Sequence, residues 1–203
     1  MKIVGDHSGT DFRNENLSCV NFRWAEIDGA DFTGANLRGA NFTRMSIKHV
    51  NFTNAELAES NFCNSSLHNT KFDGACLFDA HFGAAQLRYA SFRNANLKGS
   101  LLSSAVFLNT DFTGADFTGA YIPLTEFDDN ELSKSLSIVK LAIDDQRGYT
   151  PLAVKDSRGE YKIYSGCRVF TVKEAIEHWG SKEYPSRVLG QNYVKGILAL
   201  NSL

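Results

Sequence analysis

From residue 12 to residue 127 a bulky apolar side chain returns at every fifth position without a slip. The 24 positions hold 13 Phe, 8 Leu and 3 Ile, and only Phe78 and Phe170 among the phenylalanines fall outside them. Two residues before each, the side chain is Ala, Ser or Thr in 20 of 24 cases; the exceptions are Glu15, Val20, Met45 and Val50. A helix repeats every 3.6 residues and a strand every 2, so neither keeps a period of five on one face. The period therefore calls for a regular structure other than these two.

Repeats such as "ADFTG", "ANLRG", "ANFTR" and "ANLKG" resemble the signature of the pentapeptide-repeat family, A(D/N)LXX with Leu or Phe at the centre. The resemblance covers about residues 8–130. It implies a mainly β fold: a right-handed quadrilateral β-helix in which four five-residue sides close one square coil. Coils of this kind stack about 4.8 Å apart, as neighbouring strands do.

A 20-residue coil sorts the inward positions into four columns. The first is Phe12, Phe32, Phe52, Phe72, Phe92 and Phe112, the expected structural core. The second is Leu17, Leu37, Leu57, Leu77, Leu97 and Phe117; the third is Phe22, Phe42, Phe62, Phe82, Leu102 and Ile122. The fourth is Ile27, Ile47, Leu67, Leu87, Phe107 and Phe127. Six uninterrupted coils are expected, a rod roughly 29 Å long. Each inward Phe contributes about 1.5–3 kcal/mol by burial. Gly29, Gly34, Gly39, Gly74, Gly99, Gly114 and Gly119 fall where corners are expected.

With the interior filled, function has to be read from outward positions. Leu101, Val106, Leu108, Tyr121 and Leu124 turn apolar in the last two coils, and Leu101 and Tyr121 stand one coil apart. They form a candidate interdomain or oligomer patch, since a solenoid end needs a cap. Trp24, Phe78 and Tyr89 point outward singly. Arg38, Arg44, Lys48, Arg88 and Lys98 are spread among acids, so no basic groove is expected. His49, His68 and His81 read as surface histidines without metal-ligand spacing.

The period ends near residue 130, which divides the chain into a β-helix over 1–130 and a small α+β domain over 131–203. Residues 131–146 read as a connector. "GYTPLAVKD" (148–156) and "GEYKIYSGCRVF" (159–170) read as two strands of a hairpin. Thr171 and Glu174 spell a capping box, with Gly180 at the helix C′ position. Residues 186–203 read as an amphipathic second helix with Val188, Leu189, Tyr193, Val194, Ile197, Leu198 and Leu200 on its apolar face. This final helix either packs inside or pairs across a two-fold axis, the latter giving a homodimer through the C-terminal domain. The string over 148–180 resembles a module of bacteriophage- and prophage-encoded proteins of unassigned function.

Composition narrows the function classes. Residues 1–130 carry 15 acidic and 10 basic residues, and residues 131–203 carry 8 and 11, so the net charges are −5 and +3. Such balance excludes a strongly basic nucleic-acid binder, and direct nucleic-acid binding is not expected. No apolar run approaches the roughly 20 residues that span a bilayer, and the N-terminus lacks a signal-peptide core. Membrane association is not expected, and the location expected is the cytoplasm of a bacterial host. Cys19, Cys63, Cys76 and Cys167 form no CxxC pair, and Cys167, Arg168 and His178 lack a third orienting group. Without a Walker loop, GxGxxG, HExxH or GxSxG, no catalytic residue, cofactor site or metal site is assigned and an enzyme is not expected.

The expected function is a non-enzymatic scaffold, a phage or bacterial accessory protein that binds a host protein through the β-helix surface. The resemblance supplies an alternative, because some relatives imitate B-form DNA and occupy the DNA site of gyrase or topoisomerase IV. Those rods are strongly acidic and dimeric. DNA presents about two negative charges per 3.4 Å of axis, far more than a net −5 supplies. A structural or virion-associated role is the third reading.

Overall fold

The computed structural model describes residues 1–123, 126–127, 138–140, 152–155, 160–165, 168–181, 191, 194–195 and 197–198. Over the first 123 the chain is a parallel β solenoid. Each residue on a side pairs with the residue twenty further on, along four separate lines. Pairs on the four lines include Asp11↔Asp31, Asn16↔Asn36, Asn21↔Asn41 and Ser46↔Ser66. Sides one to four are named after the Phe12, Leu17, Phe22 and Ile27 columns. Adjacent coils are stitched by main-chain bonds in both directions: the Phe32 N–H donates to the Asn51 carbonyl at 2.7 Å, and the Asn51 N–H to the Ala30 carbonyl at 3.1 Å.

The interior explains the choice of side chains. Phe32, Phe52, Phe72, Phe92 and Phe112 are buried and stacked, with successive ring centroids 4.7–5.4 Å apart; Phe12 closes the stack half-buried. Phe22, Phe42, Phe62 and Phe82 make a second stack, 4.8–4.9 Å per step. The stacks face each other edge-on, as in the 5.5 Å, 89° contact of Phe22 with Phe32. Offset stacking within a column and edge-to-face contact between columns are the two arrangements that the ring quadrupole favours. Where column three changes to Leu102, Phe107 enters from side four and meets Phe112 at 5.1 Å, so aromatic volume is kept. Glu15, at an inward small-residue position, lies in the opening coil and is exposed, with no coil beneath it.

Corners are set by a rule wider than glycine. The residue two after each inward apolar one has a left-handed φ at every side from Gly9 to Gly119, Trp24 excepted. Fourteen of these are not glycine; Asn14, Asn54, Asn64, Asn69, Asn94, Asn109 and Asp79 are types that tolerate the region. His49 belongs with these, whereas Cys19, Arg44, Glu59, Ala84, Tyr89 and Ser104 adopt it against preference. Trp24 escapes because β2 (Asn21–Glu26) runs straight through the corner beside β1 (Lys2–Asp6), with Val4 opposite Trp24.

Above β2, sides one to three carry isolated bridges, whereas side four forms three-residue strands: β3 (Ser46–Lys48), β4 (Ser66–His68), β5 (Gln86–Arg88) and β6 (Val106–Leu108). The short β7 (Glu126–Phe127) continues that sheet. The Asp or Asn of the repeat supplies part of the difference. On sides one to three its carboxyl or amide oxygen accepts the N–H two residues on, as from Thr33 to Asp31 (2.9 Å), Thr43 to Asn41 (2.9 Å) and Thr118 to Asp116 (2.9 Å). That local bond draws the chain into a turn. Side four has Ser46, Ser66, Gln86 and Val106 at the equivalent position and stays extended.

The C-terminal region corrects three expectations. The connector over 131–146 contains a strand, β8 (Ile138–Lys140), antiparallel to β9 (Leu152–Lys155). The single strand expected over 159–170 is two, β10 (Tyr161–Ser165) and β11 (Arg168–Thr171), paired with each other, and the four-stranded order is β11-β10-β9-β8. Their register brings Ser165 opposite Arg168, a reversal too tight for one continuous strand. The helix α1 (Val172–Gly180) has the predicted capping box, with Thr171 and Glu174 bonded reciprocally. Gly180 is its last helical residue, not C′; Ser181 caps it in an extended conformation. Ala153, Ile163, Ala175, Trp179 and Ile197 are buried together. In the stretch read as a second helix, Gln191, Val194, Lys195, Ile197 and Leu198 are helical; Val188, Leu189, Tyr193 and Leu200 lie outside the described residues. No helix of the described residues is long and apolar enough to cross a membrane.

Candidate interaction surface

The solenoid's own side chains fill its interior, so each side offers chemistry only at its three outward positions. Of the five cations on sides one and two, all but the exposed Lys71 are paired with carboxylates. Arg13 pairs with Asp11 at 2.6 Å, Arg38 with Glu59, Arg93 with Asp111 at 3.3 Å and Lys98 with Asp116 at 3.2 Å. The Arg13 guanidinium and main-chain N–H both donate to Asp11 and hold its carboxyl down at about 2. Phe78 stands exposed on side two, in the coil between the Arg38 and Lys98 pairs.

Side four is different. Parallel register puts Lys48 opposite His68, and the same register continues to Arg88, whose carbonyl accepts the Asn69 N–H at 3.0 Å. Lys48 and Arg88 are exposed and His68 is half-buried. Arg44 and His49 border the lowest of these three tiers, and Tyr89, 61% exposed, borders the highest. The outward positions of the three tiers, residues 44–49, 64–69 and 84–89, contain no Asp or Glu. Among the described residues no carboxylate forms an ion pair with Arg44, Lys48 or Arg88. One tier below, the side carries Glu26 and Asp28, the latter accepting the Lys48 main-chain N–H at 2.9 Å; one tier above, it carries Val106 and Leu108. The linear sequence mixes these cations with acids, which is why it predicts no basic groove; folding sends the acids to other sides.

The four described residues of the expected patch are distributed over two sides. Leu101 and Tyr121 pair across one step on side three, 40% and 44% exposed, while Val106 and Leu108 are half-buried on side four; Leu124 lies outside the described residues. Tyr121 is met by Tyr164 of β10, ring centroids 6.3 Å apart. The Tyr164 hydroxyl donates to the Ala120 carbonyl at 3.1 Å, and Leu152, Val154 and Tyr164 are buried with the solenoid core. Burial pushes the Tyr164 phenol up to about 12, with the neighbouring Tyr121 adding to the shift. Tyr164 carries no periodic signal, and nothing in the sequence singles it out.

Other candidates remain apart. Cys19 is exposed, Cys63 and Cys76 are half-buried, all three are free thiols, and Cys167 lies outside the described residues. His81 is half-buried on side three, and His178 stacks on Phe170 at 5.2 Å. Among the described residues no cluster of His, Cys, Asp or Glu could hold a metal ion.

Comparison with known proteins agrees with the repeat. Residues 8–44, 46–83 and 80–119 match the family described as pentapeptide repeats, in eight copies. None of the curated proteins matches the chain. Similar solved structures include HetL, a pentapeptide repeat protein involved in heterocyst differentiation regulation in the cyanobacterium Nostoc. It is 27% identical over 64% of this chain, with a TM-score of 0.33. This chain spans 60% of the length of HetL. A pentapeptide repeat protein from the Arabidopsis thaliana thylakoid lumen is 26% identical over 57% of the chain and 67% of its own length, with a TM-score of 0.25. Full-length QnrB1, a plasmid-mediated fluoroquinolone resistance protein, is 18% identical over 64% of the chain and 74% of its own length, with a TM-score of 0.27. With the family matching more than half of its residues, the chain belongs to the pentapeptide-repeat family.

Proposed function

We propose that this protein is a non-enzymatic binding scaffold. In this reading it is a right-handed, four-sided rod of about six coils, joined to a small α+β domain. It works in the cytoplasm of a bacterial cell as a phage or bacterial accessory protein, engaging a host protein through the rod's surface. The observation that carries the reading is the filled interior: Phe and Leu columns pack the solenoid throughout, leaving no cleft for a substrate and a stiff exterior for a partner. A stiff face also loses little conformational entropy on binding.

The cations of side four support protein binding over imitation of DNA, because an imitator needs an acidic surface on every side it presents. The test is retention of bacterial lysate proteins on the immobilised full chain, identified by mass spectrometry, beside a gyrase supercoiling assay. One protein retained, with supercoiling untouched, supports the proposal. Salt-sensitive inhibition of supercoiling would replace it with DNA mimicry.

A further inference from the structure

We infer that the column of side four formed by Lys48, His68 and Arg88 is a docking strip for an extended acidic segment of a protein laid along the rod axis. This inference rests on the binding-scaffold reading and names the partner's chemistry. Three observations carry it. The solenoid pairs Arg13, Arg38, Arg93 and Lys98 on sides one and two with carboxylates and leaves a single cation there, Lys71, without one, whereas among the described residues Arg44, Lys48 and Arg88 cluster on or beside side four with no carboxylate partner. Lys48 and Arg88 stand two tiers apart with His68 between them, so an anion lying along the column can meet both without passing a carboxylate. The strip is also regular: register fixes Lys48, His68 and Arg88 in successive tiers about 4.8 Å apart, so Lys48 and Arg88 lie about 10 Å apart at their roots.

Length and boundaries select the partner. Side chains on one face of an extended peptide recur about every 6.7 Å. Acids at positions i and i+2 of such a segment therefore fall within reach of Lys48 and Arg88, whose flexible stems take up the difference. Tyr89, exposed at the upper tier, offers a ring for the segment's apolar stems. The strip stops abruptly at Glu26 and Asp28 one tier below. A nucleic-acid duplex, with one charge per about 1.7 Å of axis, would overrun the strip onto those carboxylates; a short acidic peptide does not.

The test uses the full chain and a fluorescein-labelled peptide of alternating Glu and Ser, with anisotropy read in dilute buffer. The peptide should bind, and its affinity should fall steeply as salt is raised. Lys48→Glu combined with Arg88→Glu should weaken it by about tenfold or more. Arg93→Gln with Lys98→Gln, which removes paired cations on the other sides, should change it by less than about twofold. Circular dichroism and melting of both variants establish that they fold. No binding by the wild-type chain, or equal loss in both double variants, overturns the strip. Tighter binding of a DNA or RNA oligonucleotide of equal charge, lost in the Lys48/Arg88 variant, overturns the protein partner in favour of nucleic acid. A lysate protein retained equally by wild type and the Lys48/Arg88 variant sinks this inference and leaves the scaffold reading standing, so the two fail separately.

Discussion

The solenoid and the region beyond it solve the same problem by opposite means. In the solenoid every buried side chain has its counterpart twenty residues away, and one local rule, repeated, builds the core. Beyond residue 130 no rule repeats. There the buried group of Ala153, Ile163, Ala175, Trp179 and Ile197 draws on two strands, a helix and a distant stretch of chain. The first kind of core spreads its stability evenly along the axis, as repeat proteins do. The second concentrates it in a few residues that meet only when the whole region folds. Between them lies the joint made by Tyr164, Tyr121 and the Ala120 carbonyl.

The largest effect that would break this comparison is in the Phe column. Phe52→Ala removes a ring stacked on both Phe32 and Phe72 and should cost about 3–5 kcal/mol, read from urea denaturation. A much smaller loss would mean that the columns are not the core of the rod's stability.

Next come the corners. Gly114 has φ of +73°, and a Cβ there would meet the Asn94 Oδ1 at 2.2 Å. Gly114→Ala should therefore cost at least about 1–2 kcal/mol, the usual penalty of left-handed backbone, with the clash added. Adding Asn94→Gly, which keeps a residue suited to the left-handed corner at 94, should remove the clash and leave the backbone penalty at 114. The column is built for this fit, since Asn14, Gly34, Asn54, Gly74, Asn94 and Gly114 alternate along it. In the opposite direction, Ala84→Gly at φ of +55° should gain up to about 1 kcal/mol.

The joint should be weaker. Tyr164→Phe deletes one hydrogen bond and leaves the Ala120 carbonyl unpaired by it, for about 1 kcal/mol in thermal melting. The phenol's pKa is raised on folding, from 10.0 to about 12. Its contribution is therefore intact below about pH 10 and is lost as pH rises towards 12, because the unfolded chain ionises first. Wild-type stability should fall across that window more steeply than that of Tyr164→Phe. The smallest effect is expected at the exposed Lys98–Asp116 pair, where Lys98→Gln should change stability by under about 0.5 kcal/mol.

Legibility in the sequence follows the same divide. The inward columns can be counted off directly, because a period of five admits one inward register. The capping box at Thr171 is equally readable, being a contact between residues three apart. Corner glycines are visible, but the left-handed φ shared by Arg44, His49 and Tyr89 is not; it follows from closing the coil, whatever side chain occupies the corner. The break between β10 and β11 and the strand at Ile138–Lys140 escape a sequence reading, since short apolar runs do not reveal their partners.

By itself the sequence determined that the first two-thirds of this chain must coil with its rings inside, because only a corner every five residues lets all those side chains escape water together. Tertiary structure alone decided which outward residues share a side. Lys48, His68 and Arg88 are each twenty positions apart with acids between them, and nothing local distinguishes them from Arg38 or Lys98. Stacking coil upon coil sets those side chains in one line and carries the intervening carboxylates around to other sides.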